Sequence, residues 1–278
     1  MKKPLFLLLL ALVFSGMQSV AQTKTPASGT QNQPASRRPP QAKTQQEFKD
    51  YNTAYAITGG DAMEKAASDF TAKYPESELR PYLYAKAMHE YQNENNSPKM
   101  LAAGEKVLQV DPDNSVALVL TATVLADNLA DGDADRQKKI DEIKKNSAHA
   151  LQTIDTALVS PANATPEQIT AYKATLQSMA HSALGIMALK SGDDAGAEKE
   201  LKASSSLNAG TPDPYVWYHL ALAQDHQKKY DEAIVSINQA LKNTGSNADL
   251  GQLAQSERDR LLLLTKAAAP TGNTPPPK

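Results

Sequence analysis

The side chains that could carry out chemistry are five histidines and a group of aspartates. His219 and His226 are seven residues apart, so about 10 Å of helical rise would separate them, too far for one zinc ion with bonds of about 2.1 Å. The chain has no Cys, which excludes disulfides, thiolate zinc sites and a cysteine nucleophile. The His-Glu-x-x-His, phosphate-loop and Gly-x-Ser-x-Gly patterns are also absent. The sequence therefore predicts no catalytic site, no metal site and no cofactor.

A group of acidic residues superficially resembles a calcium-binding loop: Asp127, Asp131, Asp133 and Asp135. An EF-hand loop needs alternating oxygen ligands, a glycine at its middle and a glutamate at its end. Here Gly132 comes too early and Asp141-Glu142 falls off the required spacing. We interpret the segment as a solvated loop between helices. An exported enzyme or binding protein on a helical toroid stays open as an alternative, because one sequence cannot locate two carboxylates that face each other across a cleft.

The composition favours a helical protein that does not bind nucleic acid. The 278 residues include 29 Lys+Arg and 31 Asp+Glu, a formal net charge of -2, and only 5% aromatic residues. A near-neutral balance argues against a strongly basic nucleic-acid binder. Abundant Ala, Leu, Gln and Lys with few β-branched and aromatic residues favour helices over strands. The length predicts one or two domains.

The first 21 residues have the pattern of a secretory signal peptide. Two lysines precede an apolar run at 5–14, and Ser19 and Ala21 supply the small residues that signal peptidase requires. The apolar run is well short of the about 20 residues that span a bilayer. We expect cleavage after Ala21 and a mature chain that is exported, periplasmic or secreted, and soluble, with no stable membrane span.

Low-complexity segments flank the central region. Residues 22–43 are rich in Pro, Gln and Thr, and residues 269–278 are rich in Pro. Segments without large apolar side chains cannot offset the entropy cost of ordering. We therefore expect a disordered linker at 22–43, a folded helical domain at 44–268 and a disordered tail at 269–278.

Prolines in the central region lie where helices are expected to begin. Ser97-Pro98, Thr165-Pro166 and Asp213-Pro214 each place a proline behind a residue that can cap a helix. A proline in the first turn loses no intrahelical hydrogen bond. This spacing predicts helices of one to two dozen residues with short connections.

Two consecutive predicted helices carry a periodic pattern of bulky and small residues: Trp217, Leu220 and Ala221, then Ala233, Ile237 and Ala240. The pattern resembles the signature of the tetratricopeptide (TPR) repeat, a helix–turn–helix unit of about 34 residues. Weaker copies lie upstream, at Leu184, Gly185, Ala197 and Leu201, and at Tyr84 and Pro112. In such a unit a bulky residue packs over small residues at the helix crossing, and neighbouring units must stack to bury their apolar faces.

The resemblance covers residues 44–266 and implies an all-α fold. We expect a TPR-like right-handed superhelix of about five helical hairpins and a C-terminal capping helix at 247–266. In the family, the first helices of successive hairpins line a concave groove that holds peptides. The residues that the resemblance places there are Tyr82, Lys86, His89, Met179, Ser182, Ile186, Tyr215, Tyr218, Leu222 and Asp225.

The implied function is that of a non-enzymatic interaction scaffold or adaptor of the bacterial cell envelope, with a protein or peptide partner in the groove. TPR co-chaperones hold a carboxylate with a cation and an Asn, but Tyr218 and Leu222 stand at those places here. The co-chaperone function is therefore excluded. The other alternative is a self-assembling structural subunit, because the four leucines at 261–264 would cover every side of the C-terminal helix.

Overall fold

A computed structural model describes residues 37–159, 164–207 and 213–268. The predicted signal peptide, residues 22–36 of the predicted linker and the tail at 269–278 lie outside the described residues. The described chain forms eleven helices: α1 (Gln45–Tyr55), α2 (Gly60–Lys73), α3 (Arg80–Asn93), α4 (Ser97–Val110), α5 (Ser115–Asp127), α6 (Arg136–Ala157), α7 (Pro166–Lys190), α8 (Asp194–Leu207), α9 (Pro214–His226), α10 (Tyr230–Asn243) and α11 (Ala248–Ala268).

The helices follow one another as antiparallel hairpins. Short connections join α1 to α2, α3 to α4, α5 to α6, α7 to α8 and α9 to α10, and α11 follows as a single terminal helix. The predicted fold class is therefore confirmed for residues 37–159, 164–207 and 213–268, which are all-α and TPR-like, with five hairpins and a final helix. Within the described residues no strand forms, and no helix is long and apolar enough to cross a bilayer.

The chain divides into two compact units. Unit 1 comprises Met1–Val124 and Ala148–Leu176, and unit 2 comprises Leu125–Ser147 and Gln177–Lys278. Helices α5, α6 and α7 each contribute residues to both units.

Side-chain caps explain where three of the helices begin. Asp213 accepts a hydrogen bond from the backbone N–H of Tyr215 at 2.8 Å, and Thr165 caps α7, as the proline pattern predicts. The prediction of Ser97 as the cap of α4 is wrong. Asn96 is the cap: its Oδ1 accepts from Lys99 N at 3.3 Å, so Ser97 is the first helical residue. An amide oxygen serves this position as well as a hydroxyl, and the proline still lies in the first turn.

In unit 1, α2 and α3 meet at a glycine. Tyr91 of α3 is fully buried, its hydroxyl donates to Glu64, and it lies 2.9 Å from Asp61 Oδ1. A Cβ at Gly60 would lie 2.2 Å from the Tyr91 ring. Burial, followed by these carboxylates, raises the pKa of Tyr91. The glycine therefore allows the start of α2 to lie directly against the aromatic ring.

In unit 2, small residues lie where α9 and α10 cross. Ala221 of α9 and Ala233 of α10 are fully buried in one cluster with Ile237 and Ala240. Trp217 is half-buried and packs against this cluster. The small side chains let the two backbones approach closely, and the indole covers the contact.

The hairpin of α7 and α8 has an equivalent close approach. A Cβ at Gly185 would lie 2.6 Å from Leu201 Cγ and 3.3 Å from the carbonyl oxygen of Ala197. Leu201 and Ala197 are fully buried on α8. Any side chain at position 185 would have to push against both a packed leucine and the backbone of the facing helix. Leu184, next to this glycine, is half-buried.

A buried glutamate links α8 to the turn between α9 and α10. Glu198 accepts hydrogen bonds from Lys229 Nζ at 2.7 Å and Gln227 Nε2 at 2.9 Å, and it pairs with Lys202 at 2.6 Å. Burial by itself would raise the pKa of Glu198, but the hydrogen bonds from these partners outweigh it and lower the pKa to about 2. The carboxylate is therefore charged at neutral pH and ties α8 to the turn between α9 and α10.

The leucines of α11 differ in their surroundings. Leu261 is fully buried, whereas Leu262 and Leu263 are 40% and 68% exposed. One leucine thus belongs to the core of unit 2 and two face outward. Self-association through this helix stays a prediction.

Candidate peptide-binding surface

Two half-buried tyrosines of α1 and α3, Tyr55 and Tyr82, form a surface on unit 1, here named the tyrosine surface, beside the buried Tyr51. Tyr51 and Tyr55 are one helical turn apart on α1, with ring centroids 5.6 Å apart. Burial raises the pKa of Tyr51, and Tyr55 and Tyr82 add to this shift because they lie near it. Burial also raises the pKa of Tyr82, to about 12, with Asp111 contributing. Tyrosine offers a large contact area at low rotamer entropy, which suits peptide binding.

Lys86 continues this surface along α3, one turn after Tyr82. Its Nζ lies 2.7 Å from Glu90 Oε1 and 5.5 Å from the centroid of the Tyr55 ring. Glu90 also accepts a hydrogen bond from the backbone N–H of Gly59 at 3.0 Å. The ion pair with Lys86 lowers the pKa of Glu90. Lys86 therefore joins α1 to α3 by a cation–π contact with Tyr55, whereas its ion pair with Glu90 lies within α3.

His89 is the most accessible of the three residues predicted to line the groove in this unit. It is exposed, and its Nδ1 lies 3.3 Å from Asn93 Nδ2. Tyr84 faces the other way and lies in the core of unit 1. The stripe formed by Tyr82, Lys86 and His89 thus follows one side of α3, at intervals of three and four residues.

Residues 37–43, here named the docked segment, lie against unit 1 in an extended conformation. Arg37 Nη1 donates to Asp111 Oδ1 at 2.6 Å, and the Arg37 backbone forms a parallel β-bridge with Val159. The hydrogen bond to Asp111 raises the pKa of Arg37, and the nearby Tyr82 adds to the shift. The segment therefore reaches the edge of the tyrosine surface.

A second arginine of the docked segment makes a paired contact. Arg38 Nη2 and Nη1 donate to the two oxygens of Glu78 at 2.5 and 2.9 Å. The backbone N–H of Gln41 donates to the same carboxylate at 3.2 Å. Arg38 lowers the pKa of Glu78 through this hydrogen bond. Pro40 is buried, and Ala42 packs against the core of unit 1.

These contacts differ from the predicted linker at 22–43. Its last seven residues contact the folded unit, so the ordered chain begins before the expected boundary at Thr44. The segment is polar, and its composition does not predict that Arg37 and Arg38 bond to Asp111 and Glu78, which lie much later in the sequence. The signal available was Arg37-Arg38 directly before two prolines, whose fixed φ lowers the entropy cost of holding an extended segment.

The candidate groove residues of α9 bond to the terminal helix. The hydroxyl of Tyr215 accepts a hydrogen bond from Asn247 Nδ2 at 2.8 Å, and Asp225 pairs with Arg260 of α11. Burial raises the pKa of Tyr218, and Glu257 of α11 contributes. These polar groups already have partners within unit 2, a pairing that helix periodicity could not reveal.

The other candidates in unit 2 vary in burial. Met179 and Ser182 of α7 are half-buried, as is Leu222 of α9, whereas Ile186 is buried. Leu220 also lies in the core. On α7, only Met179 and Ser182 are therefore partly accessible to a partner, because Ile186 belongs to the core.

The histidines and the aspartate loop have protein partners. His181, His226 and His149 lie within 2.8 Å of the carboxylates of Glu200, Asp194 and Asp113, and His219 Nδ1 lies 2.8 Å from a backbone carbonyl. In the loop, Asp133 accepts from Ala130 N and pairs with Lys139, both at 2.9 Å. Within the described residues, no three His, Asp or Glu side chains form a group that could hold a metal ion. Pro112 lies in the turn after α4.

Comparison with known proteins finds solved structures that are similar to the chain. No protein-family model matches the sequence, and no curated protein is significantly similar to it. Among solved structures, the chain is similar to the crystal structure of MamA protein, with 15% sequence identity and a TM-score of 0.39 over 70% of this chain and 98% of that chain.

Proposed function

We propose that the protein is a non-enzymatic interaction scaffold that binds an extended peptide or protein segment on unit 1. The observation that carries this proposal is the docked segment itself. Residues 37–43 show that the surface beside Tyr82 accepts an extended chain through side-chain and backbone contacts. The neighbouring Tyr55 and Lys86 extend the same surface along α1 and α3. A partner segment would bind there through the same ion-pair, backbone and aromatic contacts, and such binding requires no catalytic group.

A photo-crosslinker at His89 tests this proposal. We expect benzoylphenylalanine at position 89, on the exposed end of the α3 stripe, to capture a discrete partner band in the cells that make the protein. The matched control is the same amino acid at Gln109, which is exposed on α4. Adding Tyr55→Ala to the position 89 variant should weaken the band, because the tyrosine surface is reduced. Equal capture from positions 89 and 109, or none from either, would contradict the proposal.

We also propose that the protein acts in the bacterial cell envelope after export. The support is the sequence of residues 1–21, with its lysines, its apolar run and its small residues before position 22. Mass spectrometry of the native protein should find an N-terminal peptide that begins at Gln22. An intact Met1 in a soluble cytoplasmic fraction would rule out this location and leave the binding surface unaffected.

A further inference from the structure

We propose that Glu78 and Asp111 form a binding site for an extended peptide with two consecutive arginines, and that residues 37–43 occupy this site in cis. The proposal deepens the proposed function and rests on it, because it names the chemistry of the ligand that unit 1 accepts. The protein would carry its own competitor, which an external arginine-containing peptide must displace.

Glu78 accepts hydrogen bonds from both a side chain and the backbone of the docked segment. The guanidinium of Arg38 makes two parallel hydrogen bonds to the carboxylate, an arrangement that an ammonium group cannot reproduce. The N–H of Gln41 donates to the same carboxylate from three residues further along. Contacts from two points of the segment set its register. The site therefore selects arginine at one position and a free backbone N–H at another.

Asp111 supplies the second, more enclosed acceptor. Its side chain is only 9% exposed, and its Oδ2 accepts a weak hydrogen bond from Asn114 Nδ2 at 3.3 Å. Arg37 bonds to the other oxygen, Oδ1, at 2.6 Å. Arg37 is 46% exposed and Asp111 9%, against 63% and 43% for Arg38 and Glu78, so the Arg37–Asp111 pair is screened less by solvent than the second pair. The contact between Arg37 and Asp111 should therefore contribute more to the binding free energy than the contact between Arg38 and Glu78.

Backbone contacts and prolines favour an extended ligand. The parallel bridge between Arg37 and Val159 resembles the addition of a strand, the way that many domains bind extended peptides. Pro39 and Pro40 follow the arginines, and their fixed φ reduces the entropy lost on docking. The ligand chemistry is thus an arginine pair followed by a stiff, proline-containing stretch.

Attachment in cis sets how strongly an external peptide must bind. A short tether holds the docked segment at an effective concentration on the order of mM. A free peptide with the same contacts competes poorly against it at µM concentration. Loosening the segment should therefore expose the site and raise the apparent affinity for the same peptide in trans.

The test is fluorescence anisotropy with a labelled peptide of residues 34–43 and the full-length chain. The variant Arg37→Glu with Arg38→Glu repels its own segment from Asp111 and Glu78, and we expect it to bind the peptide at least about tenfold more tightly than the wild type. Adding Glu78→Gln and Asp111→Asn to this variant should abolish binding. A peptide with both arginines replaced by lysine should bind the charge-reversed variant at least about tenfold more weakly, because it lacks the paired contact.

Several results would overturn the proposal. They are equal affinity of the wild type and the charge-reversed variant for the labelled peptide, no binding to either protein, or equal affinity of the charge-reversed variant for the arginine and lysine peptides.

Hydrogen exchange provides a measurement on the wild-type fold. The N–H of Gln41 should be protected at every protein concentration and should lose protection in Glu78→Gln. Protection that depends on concentration would mean that a second copy supplies the segment. If these tests fail while position 89 still captures a partner, the proposed function stands without arginine specificity.

Discussion

Trp217→Ala is expected to lower the free energy of unfolding by about 3 kcal/mol, near the low end for Trp→Ala because the indole is half-buried. The indole packs against the cluster that contains Ala221 and Ala233, so its removal leaves a void over the crossing of α9 and α10. Urea denaturation followed by circular dichroism measures the change. Val235→Ala on the same hairpin is the control. Val235 is 61% exposed, and its replacement should change stability by less than about 0.5 kcal/mol.

The location of the damage tests the repeat architecture. In a stack of hairpins, stability is approximately a sum of local and nearest-neighbour contributions. Hydrogen exchange in Trp217→Ala should therefore increase across residues 214–266, while α1 and α2 stay protected. A uniform loss of protection along the chain would instead indicate a single cooperative bundle.

Two helical glycines of unit 2 should respond in opposite directions to alanine. Gly185→Ala places a methyl group 2.6 Å from Leu201 Cγ, and the overpacking should cost about 1–3 kcal/mol. A Cβ at Gly251 of α11 would meet only Thr244 Oγ1, at 4.0 Å, beyond the backbone of its own helix. Gly251→Ala should therefore stabilise the protein by about 0.5–1 kcal/mol, because alanine loses less backbone entropy in a helix. Thermal and urea unfolding of the two variants give the comparison, and a stabilising Gly185→Ala would show that α7 and α8 do not meet at this glycine.

The sequence was sufficient to predict the helices and their pairing. Periodic apolar residues mark the helical faces, and prolines such as Pro166 and Pro214 mark the first turns, because both signals are local along the chain. The small residues Ala221, Ala233 and Gly185 could be assigned to helix crossings for a related reason. Close approach of two backbones restricts side-chain size, and this restriction is visible in the sequence.

Contacts between distant polar side chains could not be predicted in this way. Asn247, directly before α11, and Arg260 of α11 bond to Tyr215 and Asp225, but periodicity gives only the side of a helix and not the identity of the facing residue. The docking of Arg37 on Asp111 has the same character, because a polar, proline-containing sequence is compatible with both a linker and a bound strand. Long-range ion pairs of this kind depend on tertiary geometry, which the sequence pattern does not encode.

The contact between Arg37 and Asp111 has a consequence for the timing of synthesis. The two residues are 74 positions apart, and Arg37 emerges from the ribosome first. At about 5–20 residues per second, roughly 4–15 seconds pass before its acceptor follows, and Val159 emerges later still. Closing so long a loop costs only modestly more free energy than closing a short one, so the separation does not prevent docking once the acceptors are available. The arginine pair is thus displayed as a free peptide on the nascent chain until Glu78 and Asp111 have been synthesised.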